Sequence, residues 1–129
     1  MSYPKIDLGT AGVFANNEYR DRSGDRVGVW TVPRLAEMAR DLVPFDLPLC
    51  CVDIGCKVYT LDGSAKALAY HMKRCADVDM SLPVIMDEEG YIMDGWHRVI
   101  RALVEGLDTI KAVRFEKTPP ADYWEEKGE

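Results

Sequence analysis

The stretch "LPVIMDEEGYIMDGWHRVIRALVEGLDTIKAVRF", residues 82–115, decides the fold class. "LPVIMD" (82–87) predicts a strand and "EEG" (88–90) a tight turn. "YIM" (91–93) predicts the returning strand. A helix is expected over 95–105, stopped by Gly106 at a C-terminal cap. "TIKAVRF" (109–115) alternates as a last strand does. Strand, turn, strand, helix and strand in 34 residues imply a mixed α/β (α+β) domain, a small mixed sheet flanked by helices.

The segments on either side are less periodic. Residues 1–28 read as an N-terminal arm or loop, because "ANNEYRDRSGDR" (15–26) is polar and turn-rich. Residues 29–129 read as a single domain with an acidic, Pro-rich tail whose Tyr123 and Trp124 are suited to docking on it. Within "VWTVPRLAEMARDLV" (29–43), Thr31 is placed to cap a helix and Pro33 to sit in its first turn. "LPLCCVD" (47–53) predicts a buried strand and "KVYT" (57–60) another. "LDGSAKALAYHMKRCADVD" (61–79) predicts a helix capped by Asp62 or Ser64, with Ala65, Leu68, Ala69, Met72, Cys75 and Ala76 on its buried stripe.

The formal charge is −6. That balance argues against direct binding of duplex DNA by bulk electrostatics and suits docking on a basic protein partner. No apolar run approaches the roughly 18 residues of a membrane span, and the first residues lack the pattern of a signal peptide. A cytoplasmic protein with reduced thiols is expected, because Cys50 and Cys51 are adjacent and resemble no secreted disulfide framework.

The chemistry concentrates at "DGWHRVIR" (94–101). Asp94 is placed to cap the helix, and Gly95 to bring the backbone close to a ligand. The N–H groups near Gly95, Trp96 and His97 would lie at the positive end of the helix dipole. With Val99, Ile100, Leu103 and Val104 as the buried face, His97, Arg98 and Arg101 fall together on the other side. This is an anion site in pattern, suited to phosphate. The same residues also read plainly: Asp94 as a cap alone, Arg98 and Arg101 as solvated side chains, Arg101 and Glu105 as an i, i+4 pair. Trp96 reads as a packing residue.

The segment 80–115 resembles the ParB/sulfiredoxin superfamily, whose members carry a strand, a turn, a second strand and a Gly-x-[His/Arg]-Arg helix start. The resemblance implies that Gly95, His97 and Arg98 hold nucleotide phosphates; together with Asp94, Trp96 and Arg101 from the helix-start pattern they form the expected phosphate or nucleotide site, with ATP, ADP or CTP as cofactor and Mg²⁺ admitted. It admits nucleotide hydrolysis or phosphoryl transfer without requiring either, and names no catalytic residue. It also implies a bacterial or phage protein. Asp94 matches the "DG-x-HR" version of free serine kinases. Trp96 stands where sulfiredoxins have their catalytic cysteine, and His97 where partitioning ParB proteins usually have arginine. The chain also ends before any helix-turn-helix domain. The alternative reading is a non-catalytic, acidic, phage-encoded interaction protein that binds and inhibits a host nucleic-acid or defence complex.

Cys51, Cys56, His71 and Cys75 form a loose metal-ligand series, but the C-x2-C spacing is absent and no zinc is expected. His71 lies beside Lys73 and Arg74. It reads as a partly buried, hydrogen-bonded histidine or as a second edge of the anion site. Asp87, Glu88 and Glu89 read as a solvated turn, with a general base or a Mg²⁺ ligand as the functional alternative.

Overall fold

A computed structural model describes residues 3–8, 18–56 and 64–128. The central unit forms as the sequence predicts. Strand β4 (Val84–Met86) and strand β5 (Ile92–Asp94) pair antiparallel; helix α3 (Trp96–Glu105) follows, and strand β6 (Thr109–Arg114) returns parallel to β4. Asp87 closes the hairpin, its Oδ1 accepting the N–H groups of Glu89 and Tyr91 at 2.9 Å each. α3 ends on Gly106 in the left-handed region, φ 71°, whose N–H reaches back to the last turn. Strand β3 (Phe45–Pro48) adds to the free side of β6, giving a four-stranded sheet of order β3-β6-β4-β5.

Alternation along these strands makes two cores. Val84 and Met86 face one side with Ile92, Ile110 and Ala112, and α3 covers them with Val99 and Ala102. Ile85, Met93 and Val113 face the other side, where helix α1 (Val32–Ala39) packs through Leu35 and Ala39 beside Trp30 and Phe115. Thr31 occupies the N-cap of α1, but its own side chain makes no cap bond. Its N–H and hydroxyl both donate to Asp122 Oδ2, at 2.7 and 3.0 Å, while Arg34 pairs with Asp122 Oδ1 at 2.9 Å.

The polar N-terminal stretch is not loop beyond Glu18. Strand β1 (Glu18–Asp21) pairs antiparallel with strand β2 (Arg26–Thr31), and strand β7 (Tyr123–Glu126) of the acidic tail pairs on the other side of β2. The expected arm therefore belongs to the domain from residue 18. Val27 and Val29 are buried, and several charges of the edge strands are paired. Arg20 bonds Glu125 at 2.9 Å and Glu18 at 3.2 Å, the Tyr123 hydroxyl bonds Glu18, and Arg26 lies over the Trp124 ring.

Three further expectations are corrected. The buried strand over 47–53 is a strand only to Pro48; Leu49–Cys51 form one turn of 3-10 helix and leave Cys50 and Cys51 exposed. Helix α2 (Ala65–Asp77) begins at Ser64, whose hydroxyl accepts the Ala67 N–H at 3.1 Å, but its buried face lies nearly opposite the predicted stripe, turned by about 150°. Tyr70 and His71 are buried, while Leu68 is 52% and Met72 64% exposed. In α3, Val99 and Ala102 are buried and Leu103 and Val104 exposed. Both rotations have one cause: α2 and α3 meet along the polar side of each. The expected strand over 57–60 and the Asp62 cap lie outside the described residues. Among the described residues no helix is long and apolar enough to cross a membrane.

Candidate functional site

Gly95 sits at the N-cap of α3 in the left-handed region, φ 112° and ψ 17°. A Cβ there would lie 2.6 Å from Val84 Cγ1 and 2.9 Å from Val84 Cβ. The glycine is thus demanded by the close passage of α3 over β4 as well as by its backbone angles. Gly95, not the expected Asp94, occupies the N-cap position and has no side chain to cap α3; the Asp94 carboxyl meets the Gly95 backbone N–H. Asp94 is the last residue of β5 instead. Its carboxyl is held above the ordinary range by desolvation, which outweighs the Arg98 guanidinium 3.8 Å away and the nearby Arg74. The first bonds of α3 run from the Arg98 and Val99 N–H groups to the Gly95 carbonyl, at 2.9 and 3.1 Å. The N–H groups of Trp96 and His97 precede that ladder. The Trp96 ring packs against the core beneath α3.

The two arginines have protein partners. Arg98, with a side chain only 14% exposed, donates to the backbone carbonyls of Asp79 at 3.1 Å and Pro83 at 3.4 Å. Arg101 donates to the carbonyls of Ala76 at 2.9 Å and Val78 at 3.1 Å and pairs with Glu105 at 2.9 Å. Helix ends leave carbonyls without intrahelical partners, at the negative end of the dipole. The arginines of α3 serve the C-terminus of α2 and the turn after it. They are neither simply solvated nor turned outward, and this contact clamps the two helices together.

The clamp brings a different pair to the start of α3. His71 Nδ1 lies 3.0 Å from His97 Nε2, with the rings stacked at 5.3 Å and 18°. One imidazole must donate and the other accept, so the pair keeps its bond when neutral or singly protonated and loses it when both rings are charged. Burial pushes the His97 imidazole down to about 4, and Arg74, His71 and Arg98 act in the same sense. His71 is also lowered, first by burial and then by Arg74. Arg74, one turn beyond His71 on α2, donates to the Tyr70 hydroxyl at 3.2 Å. Two imidazoles, a guanidinium and a half-buried carboxylate therefore meet at the first turn of α3.

Among the described residues no three His, Cys, Asp or Glu side chains are grouped to hold a metal. Cys56 is exposed and bonds the Asp53 carbonyl, Cys75 is half-buried on α2, and His71 faces His97.

No protein family, curated protein or solved structure matches the chain.

The sequence places His71 beside Arg74 as a partly buried, hydrogen-bonded histidine, and the structure buries and bonds it; that its partner is His97 was not predicted. The only local sign was that His71 and Arg74 stand at i, i+3 off the apolar stripe of α2. The histidines stand 26 positions apart, and the chain between them carries no signal that they meet.

Proposed function

We infer that the protein binds a nucleotide or another phosphorylated ligand at the first turn of α3. In this reading the charge comes from Arg74 and the His71–His97 pair, while Arg98 and Arg101 hold the helices that present them. The observation that carries it is the 3.0 Å imidazole pair beside Arg74 at a helix N-terminus. Backbone N–H groups and the dipole favour an anion there, and a phosphate would hold one imidazole protonated. The "DG-x-HR" resemblance supports the same place. A nucleotide with Mg²⁺ is the natural ligand, and hydrolysis or phosphoryl transfer is the step to assay once binding is established.

Calorimetric titration with ATP, ADP, CTP, GTP and pyrophosphate at low salt tests the reading. Wild type should bind at least one of them, and Arg74→Ala and His97→Ala should each weaken binding roughly tenfold, as loss of one charged hydrogen bond implies. Failure of wild type to bind any phosphate compound would end it.

A second reading, the acidic interaction protein, draws on the outward face of α2, where Leu68 and Met72 are more than half exposed. Loss of partner binding in Leu68→Ser with Met72→Ser, at unchanged nucleotide affinity, would favour it.

A further inference from the structure

On the side of the molecule where β1 and β2 face the β4–β5 hairpin, a cavity of about 360 Å³ opens to solvent. Its volume falls within the range of small-ligand sites. Three aromatic rings wall it: Tyr19, Trp30 and Tyr91. Tyr19 and Trp30 are in contact, with centroids 5.7 Å apart at 49°. The Trp30 N–H is taken by the Pro119 carbonyl at 2.8 Å.

The remaining wall is acidic. Asp21, Asp87, Glu88 and Glu89 line the same space. Among the described residues none of the four belongs to an ion pair. Their bonds are to neutral donors, such as the Ser23 N–H on Asp21 and the Thr118 N–H on Glu88. Arg114, the basic residue at this hairpin, donates to the Glu88 backbone carbonyl rather than to a carboxylate. Four carboxylates and three aromatic rings thus share one cavity, and among the described residues none of these carboxylates is ion-paired. The Tyr19 hydroxyl registers this: burial first, then Asp87, Asp21, Tyr91 and Glu89, push it up to about 12.

We propose that this cavity binds an organic cation, an ammonium or guanidinium group carried on an aliphatic chain. Aromatic faces attract such a head through their quadrupole and accommodate the chain, and carboxylates hold its N–H groups. A small inorganic cation would gain little from the rings. The chemistry fits a free polyamine or a basic side chain of a peptide equally, and the site is separate from the first turn of α3.

The test is calorimetry at low ionic strength with two probes: spermidine, and a blocked tetrapeptide of two arginines and two lysines. Saturable binding of either is expected, the tighter probe identifying the source of the cation. Glu89→Gln and Tyr91→Ala alter exposed side chains, so both variants should fold as wild type does by circular dichroism. Each should weaken the bound probe roughly three- to tenfold. Asp46→Asn, which removes a charge paired with Lys111 elsewhere, should leave binding unchanged. Saturable binding of neither probe would overturn the proposal. So would a loss in Asp46→Asn equal to that in Glu89→Gln, or equal competition by magnesium chloride and sodium chloride at matched ionic strength, because net charge alone would then be the attractant.

Discussion

Gly95 lies so close to Val84 that a Cβ built on it would stand 2.6 Å from Val84 Cγ1. Gly106, also at positive φ, has no atom within 4 Å of its built Cβ. The two glycines separate backbone strain from crowding. Gly106→Ala should cost about 1 kcal/mol, the strain of a left-handed residue alone. Gly95→Ala should cost roughly 2–4 kcal/mol, because overpacking against β4 is added. Chemical denaturation of both variants checks this. Equal losses would mean that α3 shifts away from Val84 without penalty.

Arg98 and Arg101 answer the carbonyls between Ala76 and Pro83. Arg98→Ala should destabilise the protein by about 1.5–3 kcal/mol, since its partly buried charged hydrogen bonds are lost. Arg101→Ala should do less, because its side chain is 31% exposed. Phosphate affinity should fall less in either variant than in Arg74→Ala. Unchanged stability with abolished binding would return the two arginines to the role of direct ligands.

Asp122 ties the tail to the start of α1. Asp122→Ala removes the acceptor for the Thr31 N–H and hydroxyl and the partner of Arg34. A loss of roughly 1–3 kcal/mol is expected, as for a helix start left unsatisfied. Limited proteolysis should then cut first near residues 116–122, and β7 should lose protection from hydrogen exchange. Wild-type protection of β7 in the variant would show that strand pairing with β2 suffices without this anchor.

The central unit was legible because its signals are local. Gly90 and Asp87 mark a turn between two short apolar runs, and Gly106 marks a helix end. What was missed depends on partners distant in sequence. "EYRD" (18–21) looks like loop, and it becomes a strand only because β2 offers it a paired edge with Glu125 across the sheet. The stripe of α2 was misplaced because periodicity ranks Leu68 and Met72 above Tyr70 and His71. The tip of each buried residue has a polar partner, and apolar counting does not see one. Likewise, the helical wheel placed Arg98 and Arg101 together correctly, but it could not show that the C-terminus of α2 would meet them.

The histidine pair makes stability depend on pH. Unfolded, His97 has its ordinary value near 6.5; folded, it titrates at about 4. Between these values the unfolded chain binds a proton that the folded chain does not. The contribution is therefore complete above pH 6.5 and is lost as pH falls towards 4. His71 is lowered and acts in the same direction. Asp94 acts oppositely: its raised carboxyl favours the folded state at low pH, an advantage lost as pH rises through its folded value. In the window from 6.5 to 4 the histidines should dominate, with a loss of about 1–2 kcal/mol after allowance for partial exposure of the His97 ring. His97→Gln should flatten that slope. Saturating pyrophosphate should also flatten it, because an anion at the first turn of α3 would stabilise the singly protonated pair. Thermal melts from pH 8 to 4.5, with and without pyrophosphate, measure both effects. Superimposable profiles for wild type and His97→Gln would remove the pair from the titration, and a pyrophosphate effect that persists in His97→Gln would place the anion elsewhere.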